Sequence, residues 1–306
     1  MEGVADRETR PMETNTEWAR LVASGFFADY SYEARRRYQK SANAIDCNRT
    51  AWIVEVGCGT GRYHKLLKEM GYTNLISCDL TLEHIWRAKE LDPHGLFVVA
   101  SGERMPFRDG VFDCLVSNAA IEHFANPAKG VSEFSRVTAN DAKLVITSDC
   151  YSWRVLQLFN LYRSKMPIDR TMAYSQFRRL FRSGNLEIVD ADAWGVTHYL
   201  RQLSRRFAPF SKLLDGAMRD DHWSNLKPQS RFGLMARMFL LDENLFVLRK
   251  LGSEGAPLAG VRPEIAMRDI LACPICRGAL AQSSHSVECL RCQKSYPVVD
   301  GILNFL

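Results

Sequence analysis

No apolar run in this 306-residue chain approaches the ~20 residues needed to span a bilayer. The opening stretch, MEGVADRETRPMETNTEW, has no apolar core of the kind a secretory signal carries, so a cytoplasmic protein without membrane insertion is expected. Charge of one sign is also scarce: the formal net charge is +5, compatible with a nucleic-acid partner but too small to argue for one. No internal repeat or low-complexity tract is present, which removes solenoids and disordered arrays from consideration. A disulfide framework is missing too. Of nine cysteines, Cys47, Cys58, Cys78, Cys114 and Cys150 are scattered, and only Cys273, Cys276, Cys289 and Cys292 fall into a pattern.

What is present is alternation. Short apolar runs at 51–56, 74–79, 95–100, 111–118 and 143–149 read as strands, and RYHKLLKEMG, LEHIWRAKEL and NPAKGVSEFSRVT between them read as helices. Such βαβ units imply an α/β fold with a mainly parallel sheet and helices on both faces. Residues 1–45 are expected to be a helical N-terminal segment. Residues 46–252 form the main domain, with late strands at 186–195 and 244–252 and a helical insert at about 198–241. YSWRVLQLFNLYRS and AYSQFRRLFRSGN read as further helices. The Gly- and Pro-rich stretch 253–264 reads as a linker, and 265–306 as a separate small module.

The first strand runs into VEVGCGTG, where Gly57, Gly59 and Gly61 alternate with Cys58 and Thr60. Glycines at a strand-to-helix turn let a ligand approach the backbone closely, and the helix N-terminus adds free N–H groups. The dinucleotide fingerprint would need glycine at the sixth position, where this chain has Arg62, so a nicotinamide cofactor fits poorly. Asp79 ends the second strand, where a carboxylate can accept both hydroxyls of a ribose; as a plain alternative it caps the next helix, with Thr81 as its rival.

Further motifs follow: Gly102-Glu103-Arg104-Met105-Pro106-Phe107, then Phe112-Asp113, Glu122-His123 and Ser135-Arg136-Val137. With Glu55 to Gly61 and Asp79, these residues make the chain resemble the class I S-adenosylmethionine-dependent methyltransferases, in particular the group that modifies quinones, sterols and secondary metabolites. The resemblance is specific over about 50–150 and rests on element order beyond. It implies a Rossmann-like sheet, parallel except for one antiparallel late strand, with FVLRK as that strand. It implies S-adenosyl-L-methionine as cofactor, with Gly57 and Gly59 hosting its methionine and ribose parts and Asp79 holding the ribose. Glu55 would fix the loop, Glu103 and Met105 would lie beside the adenine, and Cys58, Gly61, Leu80, Gly102 and Asn118 would complete the site. His123 would be a general base for a hydroxyl acceptor, or a residue that only orders its loop. Two departures are visible. Ala100-Ser101 stands where the group often has Gly-Asp, and Asn140-Asp141-Ala142 replaces its usual Pro-Gly-Gly turn. Methylation of base or amide nitrogens is disfavoured, because Ser117-Asn118-Ala119-Ala120 replaces the N/D-P-P-Y/F motif.

The four clustered cysteines form two CxxC knuckles, and four thiolates close a tetrahedral site with no open position, so a structural zinc is expected. A segment this short cannot bury much core without such a staple. From LACPIC to CQKSYPVVDGI it resembles the small zinc-binding activator subunit of tRNA and protein methyltransferases, which implies docking on the methyltransferase domain in cis. A small-molecule acceptor is the preferred reading, with Trp194, Tyr199, Phe207, Phe210, Trp223 and Phe232 available to roof its pocket. An RNA or protein substrate is the alternative, supported by the activator-like module and by basic clusters at Arg178-Arg179 and Arg201 with Arg205-Arg206. A cofactor-binding scaffold without activity is the third reading.

Overall fold

The computed structural model describes residues 32–149, 172–194, 243–252, 269–283 and 285–306. The helix expected at 151–164, the insert at 198–241, the linker and residues 1–31 lie outside the described residues.

Helix α1 (Tyr32–Ala44) is followed by β1 (Ile53–Val56), α2 (Arg62–Glu69), β2 (Leu75–Asp79), α3 (Leu82–Leu91), β3 (Leu96–Val99) and β4 (Phe112–Asn118). A single 3-10 turn at Ile121–His123 leads to α4 (Pro127–Val137), β5 (Thr138–Asp149), α5 (Tyr174–Ser183), β6 (Leu186–Trp194) and β7 (Glu243–Lys250). Four short strands complete the chain: β8 (Leu280–Gln282), β9 (Ser286–Cys289), β10 (Ser295–Val299) and β11 (Ile302–Asn304). Local chemistry explains the boundaries. Asn126 caps α4 by accepting from the N–H groups of Ala128 and Lys129, and Pro127 takes the first helical position, where no N–H is needed. Gly71 follows the end of α2 at φ +89°, as expected of a left-handed helix terminator.

All described strands join one sheet in the order β6-β7-β5-β4-β1-β2-β3-β11-β10-β9-β8. Strands β5, β4, β1, β2 and β3 are mutually parallel, and β7 runs antiparallel to both β5 and β6, as the FVLRK assignment requires. Asn140-Asp141-Ala142 makes an irregular start to β5: Asp141 has φ +58°, and the β4–β5 register shifts between Phe112 and Cys114. The departure from a Pro-Gly-Gly turn thus leaves the pairing of the strands above it intact.

One core lies on each face of the sheet. The first gathers Val54, Val56, Leu115, Ile146 and Phe246 with Phe134 of α4 and Phe177 and Phe181 of α5. The second gathers Ile53, Val116, Val145, Val247 and Trp194 with Tyr63 and Leu67 of α2 and Ala42 of α1. Two ion pairs tie α1 to the late strands, Arg37 to Glu243 at 2.7 Å and Lys40 to Asp192 at 2.7 Å.

The cysteine module extends the main sheet. Strand β11 pairs parallel with β3, Leu303 opposite Val98 and Asn304 opposite Val99, and the Phe305 N–H donates to the Val99 carbonyl at 2.9 Å. A second seam lies beside it: Arg108 N–H donates to Ile270 O and Ala272 N–H to Pro106 O. Ile270, Leu271, Tyr296, Leu303 and Phe305 belong to the same apolar core as Val98 and Phe107. Ile302 packs with Ile85, Ala88, Phe97 and Val99 on the other face.

Candidate functional site

The glycine loop stands at the carboxyl end of β1, and its three glycines have φ of +76°, +51° and +75°, a region that costs other residues ~1–2 kcal/mol. The three positions are not equivalent. A Cβ at Gly57 would sit 2.4 Å from the Ala120 Cβ, and one at Gly61 would sit 2.7 Å from the Ala88 Cβ, so both permit close packing of the protein on itself. A Cβ at Gly59 would meet nothing within 4 Å. Gly59 is therefore bare toward open space, which is where a ligand would lie on the backbone.

Asp79 organises that loop. Its Oδ2 accepts from the Gly59 N–H at 2.8 Å, while Oδ1 accepts from the Thr81 N–H at 3.0 Å and lies 3.1 Å from His84 Nδ1. The N-cap position of α3 belongs to Thr81, without a side-chain cap bond, so Asp79 serves both the loop and the helix start. Leu80 beside it is 59% exposed, a large apolar side chain available for a flat ring. Cys58 is buried, its thiol facing the Gly59 carbonyl at 3.6 Å.

Beneath the loop runs a buried polar chain. Ser77 donates to Glu55 Oε2 at 2.8 Å, His64 Nδ1 lies 2.7 Å from the Ser77 hydroxyl, and His64 Nε2 points at Asp92 at 3.5 Å. Burial pushes the Glu55 carboxyl up to about 8; the Ser77 hydrogen bond opposes this and Asp79 adds to it. Burial pulls the His64 imidazole down to about 4, against the attraction of Asp92. Glu55 thus sits under the loop as a support, and its partner is a side chain of β2.

The expected adenine residues divide. Gly102 packs tightly, since a Cβ there would lie 2.5 Å from the Phe124 ring and 2.9 Å from Val56. Met105 is buried in the core. Glu103 accepts from the Asn126 N–H at 3.1 Å, so its carboxylate helps start α4, and Ser101 Oγ accepts from the Glu103 N–H at 3.2 Å. Sequence reasoning missed the residue that shapes this loop, Arg136. It donates to the carbonyls of Met105 and Phe107, to Asp109 and to both Glu133 oxygens, at 2.6–3.0 Å. The Arg-Val pair was read only as a marker; an arginine on the core-facing side of an amphipathic helix was the available signal.

At the carboxyl edge of β4 and β5, Asn118 Oδ1 accepts from Thr147 Oγ1 at 3.2 Å, and the Ala119 N–H donates to Thr147. His123 is exposed in the 3-10 turn that follows. Several buried polar atoms here have no hydrogen-bond partner among the described residues: Ser117 Oγ, Asn118 Nδ2, Ser148 Oγ, Trp194 Nε1 and Asn244 Oδ1.

The four module cysteines converge, with all sulfurs within 4.8 Å of one another. Cys273 and Cys292 are 3.7 Å apart and Cys276 and Cys289 3.3 Å, close to the ~3.8 Å between sulfurs around a tetrahedral zinc with ~2.3 Å bonds. Burial alone would raise the Cys273 thiol, but the Tyr296 hydroxyl and the N–H groups of Cys276 and Ile275 hold it down at about 6. Cys289 accepts from the N–H groups of Arg291 and Cys292, both at 3.4 Å, which lowers it in the same way. Four sulfurs at these spacings, with Cys273 and Cys289 held toward the thiolate, fit a structural metal.

Comparison with known proteins agrees with this geometry. Residues 54–146 match the family described as Methyltransferase domain. The chain is 28% identical over 133 residues to the malonyl-[acyl-carrier protein] O-methyltransferase of Hamiltonella defensa, covering 42% of this chain and 51% of that protein. It is 26% identical over 192 residues to the ubiquinone/menaquinone biosynthesis C-methyltransferase UbiE of Proteus mirabilis, covering 60% and 70%. The chain thus spans about half the length of the first of these relatives. Among solved structures, a chain from the complex between the Haloferax volcanii Trm112 methyltransferase activator and a methyltransferase is similar in fold, with a TM-score of 0.52 at 15% identity over 77% of this chain and 96% of that one. A bare glycine cradle braced by Asp79, the family match and the shared fold meet on the same residues: 54–146 match the Methyltransferase domain family and lie in a sheet of the class I fold that continues into a four-cysteine module.

Proposed function

We propose that this chain is an S-adenosyl-L-methionine-dependent methyltransferase that acts on a small-molecule acceptor, with a weak preference for oxygen, and that zinc in its four-cysteine module stabilises the domain. The observation that carries the reading is Gly59, open where a ligand would lie and tied by its N–H to Asp79. The cofactor supplies a methyl group already activated on a sulfonium. The chain has to align the acceptor and exclude water, so orientation supplies most of the acceleration. In this reading the bare backbone at Gly59 receives the methionine and ribose parts, and Asp79 takes the ribose hydroxyls while keeping its bond to the loop. Leu80 and the Gly102 turn flank the adenine. Asn118 stands at the acceptor side of the cofactor. His123, exposed just after β4, is positioned to take a proton from a hydroxyl acceptor, as a role secondary to alignment. Cys273, Cys276, Cys289 and Cys292 would hold the zinc, which closes the module that pairs with β3.

A second reading, a tRNA or protein methyltransferase with its activator fused in cis, draws on the fold likeness to the Trm112 complex and on the module that pairs in cis. A steep salt dependence of RNA binding would favour it.

Calorimetric titration of S-adenosylmethionine and S-adenosylhomocysteine into the metal-analysed protein tests the main reading. Micromolar binding that is lost in Asp79→Ala, with one zinc per chain, is the expected result. No binding to the intact zinc-loaded chain would overturn the cofactor assignment.

A further inference from the structure

The orphaned polar atoms at the carboxyl edge sort onto two faces of the sheet, and the sorting is informative. Strand register places Ser117 opposite Ile146, and Ile146 opposite Phe246. Ser148, two residues on from Ile146, stands opposite Asn244, which in turn stands opposite Ala193. Side chains alternate along a strand, so Ser117, Ser148 and Asn244 share one face. Directly opposed residues hold their Cβ atoms ~4.5–5.5 Å apart, which makes Ser148 and Asn244 a pair. Ser117 is on the neighbouring strand, toward the glycine loop: Glu55 pairs with Val116, so Ser117 is level with Val56, the residue before Gly57.

All three side chains are at most 2% exposed, and Ser117 Oγ, Ser148 Oγ and Asn244 Oδ1 have no partner among the described residues. A buried polar atom without a partner costs ~1–3 kcal/mol, and three on one face at one edge of a sheet are a poor choice unless something else supplies their bonds. The charged residues next to the strip point the other way, and Lys250 and Asp113 of the same strands lie at the far end of the sheet. Glu243 and Asp192 alternate with Asn244 and Ala193, and they are paired with Arg37 and Lys40. Below the strip the floor is aromatic: the Phe246 ring stacks with Tyr174 at 6.3 Å and packs against Phe177 at 4.7 Å.

We propose that Ser117, Ser148 and Asn244 form the acceptor subsite, and that it takes a neutral ring compound carrying a hydroxyl group. This rests on the methyltransferase reading above. Asn244 Oδ1 only accepts, so the ligand must bring a donor; the two serine hydroxyls both donate and accept. The strip itself offers no charged partner to an ionised acceptor, and its aromatic floor suits a flat one.

The test uses the full zinc-loaded chain with catechol as probe and toluene as apolar control, each titrated with and without S-adenosylhomocysteine and followed by ligand-observed NMR. Catechol is expected to bind and toluene to bind more weakly. Ser148→Ala and Asn244→Leu should each weaken catechol about fivefold, with S-adenosylhomocysteine affinity unchanged. Because each variant removes an orphan, thermal midpoints should hold or rise, whereas groups satisfied by the protein itself would give a fall. Catechol binding that is absent, matched by toluene, or insensitive to both variants overturns the subsite. If S-adenosylhomocysteine fails to bind while catechol binding remains sensitive to the variants, the subsite stands and the methyltransferase reading falls. A short single-stranded oligoribonucleotide that displaces catechol and shows the same sensitivity would overturn the small-acceptor assignment in favour of RNA.

Discussion

Leu303 of β11 stands opposite Val98 of β3, so a residue of the cysteine module completes the edge of the sheet that carries the glycine loop. Leu303 is 5% exposed and Phe305 6%, both within the core that also contains Val54 and Phe107. Leu303→Ala or Phe305→Ala should therefore cost the methyltransferase domain itself ~2–5 kcal/mol, measured by urea denaturation followed at the Trp52 and Trp194 fluorescence. A loss confined to a separate, early transition would show that the module folds independently.

Metal removal should act through the same contact. Chelation would leave the four sulfurs, and Cys289→Ser the remaining three, without the proposed zinc, and should loosen β9 to β11. The expected result is a lower thermal midpoint for the whole chain, restored by added zinc. An unchanged midpoint would separate the metal from the sheet.

The glycine loop offers a contrast between neighbours. Gly57→Ala pushes a Cβ to 2.4 Å from Ala120 and should cost ~2–4 kcal/mol of stability from strain and overpacking. Gly59→Ala meets open space, so it should cost only ~1–2 kcal/mol while abolishing binding of S-adenosylhomocysteine. Comparing the two by denaturation and calorimetry separates the scaffold glycine from the ligand glycine. Equal effects of both on stability would refute the distinction.

Stability should vary with pH in two opposed windows. His64 has an ordinary value of 6.5 and is pulled to about 4, so the unfolded chain binds more protons between these values and stability is lost as pH falls through them. Glu55 is raised from 4.5 to about 8, so the folded chain binds more protons there and stability is lost as pH rises toward 8. The two slopes oppose each other between 4.5 and 6.5. Glu55→Gln should flatten the fall between 6.5 and 8 in urea midpoints, and a slope unchanged by it would place the proton elsewhere.

Arg136 should be the most sensitive surface-proximal residue. Removing it frees the Met105 and Phe107 carbonyls and leaves Glu133, 13% exposed, without its bidentate partner. Arg136→Met is expected to cost ~3–5 kcal/mol and to weaken module docking, because Pro106 and Arg108 on the same loop bond to Ala272 and Ile270. Hydrogen exchange at Arg108 and Ala272 reports this directly.

Much of this was legible in the sequence, and the reasons are local. The strands from 53 to 149 and the helices between them follow from apolar periodicity and caps such as Asn126-Pro127, and VEVGCGTG with Asp79 marked the loop. The knuckle spacing of the four cysteines foretold their convergence. What was not legible is what depends on contacts distant in sequence. Nothing in LFVV says that β11 will pair with it, because a buried strand and an edge strand read alike. Ser148 and Asn244 look like ordinary strand residues until the register sets them side by side. The bond from the Asn126 N–H to the Glu103 carboxylate was likewise hidden, because it depends on where α4 begins.

The pairing of β11 with β3 also has a meaning in time. Strand β3 is synthesised some two hundred residues before β11, and until residues 302–305 emerge its outer row of N–H and C=O groups and its apolar side chains stay open. A chain interrupted anywhere between β3 and Ile302 would hold every residue of the glycine loop and still present an adhesive edge. Completion of the sheet thus marks completion of the chain up to that point, and incomplete products would remain visible to chaperones and proteases.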